Sequence, residues 1–442
     1  MTVTRRTFLA ATAATLAATR TAHSANGRDA NNRIGVCTIG FNGQGASHIK
    51  DILKMKDEAE IVALCDVDSE VLERGAKLVE DAQGKRPKTY RDIRDALADK
   101  GVDAVTIATP NHWHSLGAIW ACQAGKDVYV EKPLCHNVFE GRQLVEAAKK
   151  YGRIVQHGTQ NRANATLIRD MKLIHDGFIG KIVESRGYVY KNGNRRAIGH
   201  GKQGPVPKNL DWQQWQGPSP DHEFLVNVDR KKPGLHVHYD WHWFWEYGNG
   251  EIGNQGVHEM DVAVWGHNRG LPVNVSSSGG RFGWKDDAET PNTQATTFAY
   301  ADGSILTFEV RNLGSFEEAD GGNCGNSFFG TDGFYVRNKG FFTYKGGKMS
   351  EREMIPVEEP KPERGDKWEH FFRAVRSRKQ SDMSVTTLDA FHSCVHCHLA
   401  NVAYRLGHSL RFDPQSEQFD DKQANKYLSR EYRSGFEVPK FA

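Results

Sequence analysis

Ile34-Gly35-Val36-Cys37-Thr38-Ile39-Gly40-Phe41-Asn42-Gly43-Gln44-Gly45 is a strand-forming run that breaks into glycines. Residues 33–39 are apolar and β-branched without alternation, the pattern of a strand covered on both faces. Residues 44–55 then carry apolar side chains at helical spacing. A pyrophosphate needs close backbone N–H donors at a helix start, and glycines allow that approach. The usual pattern is G-x-G-x-x-G. Here it reads Gly40-x-Asn42-Gly43-x-Gly45, with Asn42 in the middle position. Asparagine tolerates unusual backbone angles better than most residues, so the turn can survive.

The context strengthens this reading. Strand-like runs recur at 60–66, 102–108, 127–131 and 153–157, with amphipathic helical stretches at 69–82, 92–98, 113–122 and 138–151 between them. Alternation at this spacing predicts a doubly wound parallel sheet, a Rossmann domain over 33–158. Asp66 stands at a strand end where a carboxylate accepts from a ribose 2′-hydroxyl. The same charge repels a 2′-phosphate, so the expected cofactor is NAD(H) rather than NADP(H). Gly40, Asn42, Gly43, Gln44, Gly45 and Asp66 form the first half of the expected cofactor site. Lys132 falls at a later strand end, where a substrate held beside the cofactor would react.

Beyond residue 158 the pattern changes. After one helix at 164–176, strands are expected at 181–190, 274–282, 294–300, 304–310 and 328–336, with Ala301-Asp302-Gly303 as a hairpin turn. Helices follow at 367–378 and 388–406. This predicts a second, α+β domain over 159–410 with a large open, mostly antiparallel sheet, and a C-terminal tail at 411–442. Residues 192–250 form a long aromatic loop, a length that is usually functional.

Composition narrows the function. The 442 residues fit two domains. Net charge is +3, and the three arginines of residues 1–24 account for it. With no basic stripe left, nucleic acid is an unexpected partner. Thr4-Arg5-Arg6-Thr7-Phe8-Leu9-Ala10 before an Ala/Thr/Leu run reads as a twin-arginine export signal, ending near Ala22-His23-Ser24. The twin-arginine export machinery and a periplasm-like location are therefore expected. The seven cysteines form no disulfide framework: Cys37 and Cys65 lie in expected parallel strands.

The chain resembles the glucose-fructose oxidoreductase / inositol dehydrogenase / rhizopine-catabolism (Gfo/Idh/MocA) family. The resemblance rests on Gly40–Gly45, Thr109-Pro110-Asn111-His112-Trp113-His114, Glu131-Lys132-Pro133 and Gly253-Asn254-Gln255-Gly256-Val257-His258-Glu259-Met260-Asp261, in this order. It implies that Thr109, Pro110 and Asn111 line the nicotinamide half of the site, with His114 on the following helix and Glu131 and Lys132 beside it. It implies that Lys132 meets the substrate hydroxyl or carbonyl and that His258 is the acid/base. Asn254 stands where family dehydrogenases commonly have aspartate; an amide orients but holds no charge. A homo-oligomer, dimer or tetramer, is implied as well.

Leu235-His236-Val237-His238-Tyr239-Asp240-Trp241-His242-Trp243-Phe244-Trp245 is dense in His and Trp. Aromatic faces stack on sugar rings and imidazoles bond hydroxyls, so His238, Trp241, Trp243 and Tyr247 are candidate substrate residues. A packed aromatic loop and a metal site are the competing readings; no closed ligand set is visible. Cys394-Val395-His396-Cys397-His398 matches the haem-attachment pattern C-x-x-C-H, but Leu388, Phe391, Val395, Leu399 and Val402 recur at helical spacing, so it reads as a core helix. The expectation is an exported NAD(H)-dependent oxidoreductase with tightly bound cofactor, acting on a sugar, polyol or sugar derivative. The rivals are a glycosidase, lyase or epimerase using NAD transiently, and a non-catalytic sugar-binding relative.

Overall fold

The computed structural model describes residues 33–191, 196–313, 322–344, 351–360 and 365–441. The expected export signal lies outside the described residues. Among those residues no helix is long and apolar enough to cross a membrane.

Six parallel strands open the chain: β1 (Ile34–Ile39), β2 (Ala59–Cys65), β3 (Lys88–Tyr90), β4 (Ala104–Ile107), β5 (Asp127–Val130) and β6 (Val155–His157). Their order is β3-β2-β1-β4-β5-β6, so the chain reverses direction across the sheet between β1 and β4. In such sheets ligands bind at the carboxyl ends of the strands, at that reversal. Helices α1 (Gln44–Ile52), α2 (Ser69–Gln83), α3 (Ile93–Ala98), α4 (Asn111–Gln123) and α5 (Val138–Tyr151) cover the two faces. Every residue of β1, β4 and β5 is buried, which is why these strands read as apolar runs without alternation. Strand β3 was not expected: Lys88 and Thr89 are exposed on a sheet edge and leave no hydrophobic signal.

A short helix α6 (Ala165–His175) leads into a ten-stranded sheet in the order β16 (Arg352–Ile355), β15 (Gly340–Tyr344), β14 (Gly333–Val336), β13 (Cys324–Gly330), β7 (Ile182–Tyr190), β12 (Ile305–Arg311), β11 (Thr293–Ala299), β10 (Asn274–Gly280), β17 (Leu410–Asp413) and β18 (Gln418–Phe419); β8 (Gly201–Gln203) and β9 (Leu225–Asn227) pair in a separate two-stranded sheet. The large sheet begins with β7, which pairs parallel to β12; the other pairings are antiparallel. The sheet is thus mixed but mostly antiparallel. The expected strand at 328–336 is in fact two, β13 (Cys324–Gly330) and β14 (Gly333–Val336), because Thr331 and Asp332 turn the chain back on itself. Residues 411–441 are not a free tail. Strand β17 (Leu410–Asp413) pairs with β10 (Asn274–Gly280), and Tyr432 and Phe441 bond Glu140 and Gln143 of α5.

Three segments of the second half position the site. Helices α8 (Gly250–Asn254) and α9 (Gly256–His267) run between the two sheets. Helix α10 (Lys367–Ser377) docks on the first sheet through Trp368, 1% exposed, against Tyr129 and His48. Helix α11 (Thr387–Leu406) is the C-x-x-C-H segment, with Cys394, Cys397 and His398 buried in the shared core. The aromatic insertion, around the five-residue helix α7 (Trp212–Gln216), packs its own core of Trp212, Trp215, Phe224, Trp241, Trp243, Phe244 and Tyr247.

Candidate active site

One cavity of about 700 Å³ opens at the carboxyl ends of β1, β2, β4 and β5. Gly40 closes the turn after β1. Its φ of +72° is a left-handed angle, and a Cβ would lie 2.8–2.9 Å from Thr109, so β1 and β4 approach this closely only over a glycine. Gly43 caps α1 with no side-chain partner, and nothing lies within 4 Å of where its Cβ would be. The space above it and the helix start beneath it, where only the Ala46 N–H of the first turn turns back to the Gly43 carbonyl among the described bonds, together suit an anion. Gly45 does not line the cavity; it packs 2.2 Å (as a would-be Cβ) from the Gly40 oxygen and is a packing residue of the turn.

Asp66 lines the cavity after β2. Its Oδ2 accepts from Phe41 N at 2.9 Å and its Oδ1 from Asp68 N at 3.0 Å. Burial pushes its carboxyl up to about 6, with those two N–H groups opposing. Asn42 accepts from Arg74 at 3.3 Å. Thr109, Pro110 and Asn111 follow β4 in the same wall, where Thr109 Oγ1 and Asn111 Oδ1 are buried without partners. His114 holds two loops together: its ring nitrogens lie 2.6 Å from Pro133 O and 2.8 Å from Thr109 O. Burial lowers its pKa.

The reacting end is built from both halves of the chain. Lys132 follows β5, and its Nζ donates to Asn254 O at 3.0 Å and Asn254 Oδ1 at 3.1 Å. Asn254 ends α8, and its Nδ2 is a buried donor with no partner. His258 sits in the first turn of α9, and its ring forms no hydrogen bond among the described residues. Burial, then the neighbouring Lys132 charge, pushes it down to about 3, so it is neutral near pH 7 with one nitrogen able to accept a proton. Helix α9 is locked in place three residues later. Asp261 is fully buried and takes a bidentate pair from Arg162 at 2.8 and 2.9 Å, plus Ser393 Oγ at 2.8 Å.

Glu131 faces the protein more than the cavity. Its Oε1 accepts from His48 Nε2 at 3.0 Å and its Oε2 from Lys132 N at 3.2 Å. Burial acts to raise its pKa, but His48 and the Lys132 charge hold it well below the usual carboxylate range. It positions Lys132 from behind.

Of the four aromatic candidates, His238 and Trp241 line the cavity. His238 Nε2 lies 3.3 Å from Asp68 Oδ2, and Asn209 bonds the same carboxylate at 2.9 Å, so the insertion is fastened beside Asp66. Trp243 and Tyr247 do not reach the cavity: they belong to the insertion's packed core, Tyr247 wedged among His112, Trp215 and His236. The sequence reading also missed residues. Lys191, Gln255, Gln160 and Lys367 line the cavity, and His48 supports it from α1. His48 alone carried a signal, lying four residues after Gln44 on the face that meets the sheet.

The residues present fit a dinucleotide: an uncapped helix start over open space, a carboxylate at the β2 end, and unpaired polar atoms at Thr109, Asn111 and Asn254. Fold and site therefore define a Rossmann-type dinucleotide-binding protein whose second half carries a large, mostly antiparallel sheet. Residues 33–159 match the oxidoreductase family's NAD-binding Rossmann fold, and residues 165–438 match its C-terminal alpha/beta domain. The chain belongs to the GFO/IDH/MocA oxidoreductase family.

Residue-level relatives match only part of it. An inositol 2-dehydrogenase of Salmonella typhimurium is 29% identical over 153 residues, 34% of this chain and 44% of that protein. A glycosyl hydrolase family 109 protein of Stenotrophomonas maltophilia is 38% identical over 136 residues, 29% of each. The matched region thus spans less than half the length of these relatives. Among solved structures, the WlbA dehydrogenase of Bordetella pertussis, in complex with NADH and UDP-GlcNAcA, superposes with a TM-score of 0.61 at 20% identity. That match covers 86% of this chain and 99% of the other. A levoglucosan dehydrogenase in complex with NADH gives 0.60 at 16% identity, covering 85% and 98%. At such identities the likeness is one of fold.

Proposed function

We propose that this chain is an NAD(H)-dependent oxidoreductase acting on a CH–OH group of a sugar, polyol or sugar derivative. The observation that carries this reading is the meeting of Lys132, Asn254 and His258, from both halves of the chain, in the cavity that also holds the Gly40–Gln44 turn and Asp66. NAD(H), when bound, accepts or returns the hydride. Lys132, held by Asn254, fixes the substrate oxygen through its ammonium. Asn254 Nδ2 adds a donor to the same region. His258, neutral and with a ring that forms no hydrogen bond among the described residues, takes the hydroxyl proton on oxidation and returns it on reduction. His238 and Trp241 give the substrate end hydroxyl partners and an aromatic face.

The reading extends to export, to a resident cofactor and to a homo-oligomer. Arg5-Arg6 before an apolar run supports twin-arginine export of the folded protein. Outside the cytoplasm free nicotinamide nucleotide is scarce, so an exported enzyme must carry its own. The insertion fastened to Asp68 beside the adenosine end supports retention. Retention calls for a second substrate, or one catalytic cycle that returns the hydride. Asn254 in place of a carboxylate favours the second arrangement as an alternative: transient oxidation within a lyase, epimerase or glycosidase reaction.

The test uses the full chain exported by its own signal. Denaturation and mass analysis of the released nucleotide should find near-stoichiometric NAD(H). A protein that is empty and also fails to bind added NAD(H) overturns the reading. Stoichiometric change in nicotinamide absorbance with a sugar then marks net oxidation; turnover without such change marks the transient route.

A further inference from the structure

The lining of the cavity holds a lysine that the hydride chemistry leaves unused. Lys191 follows β7, and its backbone N–H donates to Arg311 O at 3.0 Å. The residue is half-buried and lines the cavity, and its Nζ donates to Gln255 Oε1 at 3.2 Å. Gln255 directly follows Asn254, which holds the Nζ of Lys132. Gln255 O in turn accepts from His258 N at 3.1 Å. Two ammonium groups, one from each half of the chain, are thus held by consecutive residues at the foot of the helix that carries His258.

The charges around them do not cancel. Among the described residues the acidic side chains of the lining are Asp66 and Glu131. Asp66 lies at the β2 end and bonds Phe41 N and Asp68 N. Glu131 is turned to His48 and to the N–H of Lys132, so it offsets Lys132 from behind. Lys191 forms no ion pair among the described residues. The carboxyl that feels its charge is Glu259, which is outside the lining, is pushed up to about 7 by burial, and has Arg337 as its larger neighbouring charge. Lys191 is therefore the positive charge left over at the reacting end, and a surplus charge in a cleft gathers its counter-ion. The phosphates of the dinucleotide belong over Gly43 at the start of α1, and oxidised nicotinamide adds another positive charge beside Lys132.

An ammonium has three donors, of which Gln255 takes one. One such point charge matches a singly charged carboxylate; a phosphate dianion calls for several cations or a nest of backbone N–H groups. We propose that the substrate is a sugar acid, its carboxylate held by Lys191 while the reacting hydroxyl meets Lys132 and His258. This names the substrate class of the function proposed above and rests on that reading.

The test sets paired probes against the NAD(H)-loaded full chain: glucuronate and galacturonate against glucose and galactose, with glucose 6-phosphate as a different anion. Calorimetry at low salt reads the affinities. At least one sugar acid should bind about tenfold or more tighter than its neutral parent, as a charge-assisted bond provides. Lys191→Met should bring that ratio below about threefold and Lys191→Arg should keep it, with bound nucleotide per chain, read by mass, showing that each variant is folded. A lysine that merely ties β7 to α9 does not sort ligands by charge, so equal ratios in wild type and Lys191→Met overturn the proposal. Tighter binding of the neutral parents, preference for glucose 6-phosphate over both acids, or binding of none of the probes overturns it as well. The hydride-transfer reading survives each of those results and falls only if the chain neither carries nor binds NAD(H).

Discussion

Lys132 is reached by Asn254 from another part of the chain, and that contact sets the chemistry of both. Lys132→Ala removes the cation bonded to Asn254 and should lower kcat/KM by about 10²–10⁴-fold, while bound nucleotide per chain, read by mass, stays the same. Asn254→Asp would put a carboxylate against the ammonium, which favours its charged form. The alkaline limb of the kcat/KM–pH profile should then move to higher pH in the variant. Asp66 gives a third outcome. Its carboxyl titrates near 6 in the folded protein because burial disfavours the charge. Above that pH it is ionised and accepts from a ribose hydroxyl. Below it the proton must be displaced, so NAD(H) affinity should fall as pH falls through 6. Discrimination against NADP(H) should weaken over the same range, since the repelling charge is lost. Titrations of both nucleotides from pH 5 to 8 check this.

At the scale of elements, the turn from β1 to α1 is the most constrained piece. Gly40→Ala would force a side chain into a left-handed angle at a cost of about 1–2 kcal/mol, besides a collision with Thr109. The denaturation midpoint should drop accordingly, and nucleotide binding with it. Most of this element was legible in sequence, because a buried parallel strand and a glycine turn leave local signals. The short polar edge strand β3 left none, and the turn at Thr331-Asp332 was hidden inside an apolar run. The aromatic insertion shows the limit most clearly. Its composition marked it as aromatic, but only packing separates Trp241, on the cavity, from Trp243 and Tyr247, in the insertion's own core. All are Trp or Tyr within a few residues, and no periodicity sorts them.

At the scale of the whole molecule, the described residues from Ile34 onward form one compact unit. Helix α10 shows how the ends are tied: Trp368 packs on both Tyr129 and His48, and Arg378, just past the helix, pairs with Asp127 at the start of β5. Trp368→Ala should cost about 3–5 kcal/mol, as a large buried ring does. Because His48 in turn holds Glu131, the variant should also raise KM for substrate; thermal denaturation and steady-state kinetics read the two effects separately.

The local order of residues determined the strands, the helices, the cofactor turn and the roles open to Asp66, Lys132 and His258. Each of these depends on side chains a few positions apart, and hydrophobic period or glycine spacing records them. Tertiary structure alone decided that Lys132 meets Asn254, that Glu131 turns to His48, and that Arg162 locks the helix of His258. It also decided that Lys191 reaches Gln255 beside them. These contacts join residues far apart in the chain, and only the packing of two sheets and an insertion brings them within hydrogen-bond reach.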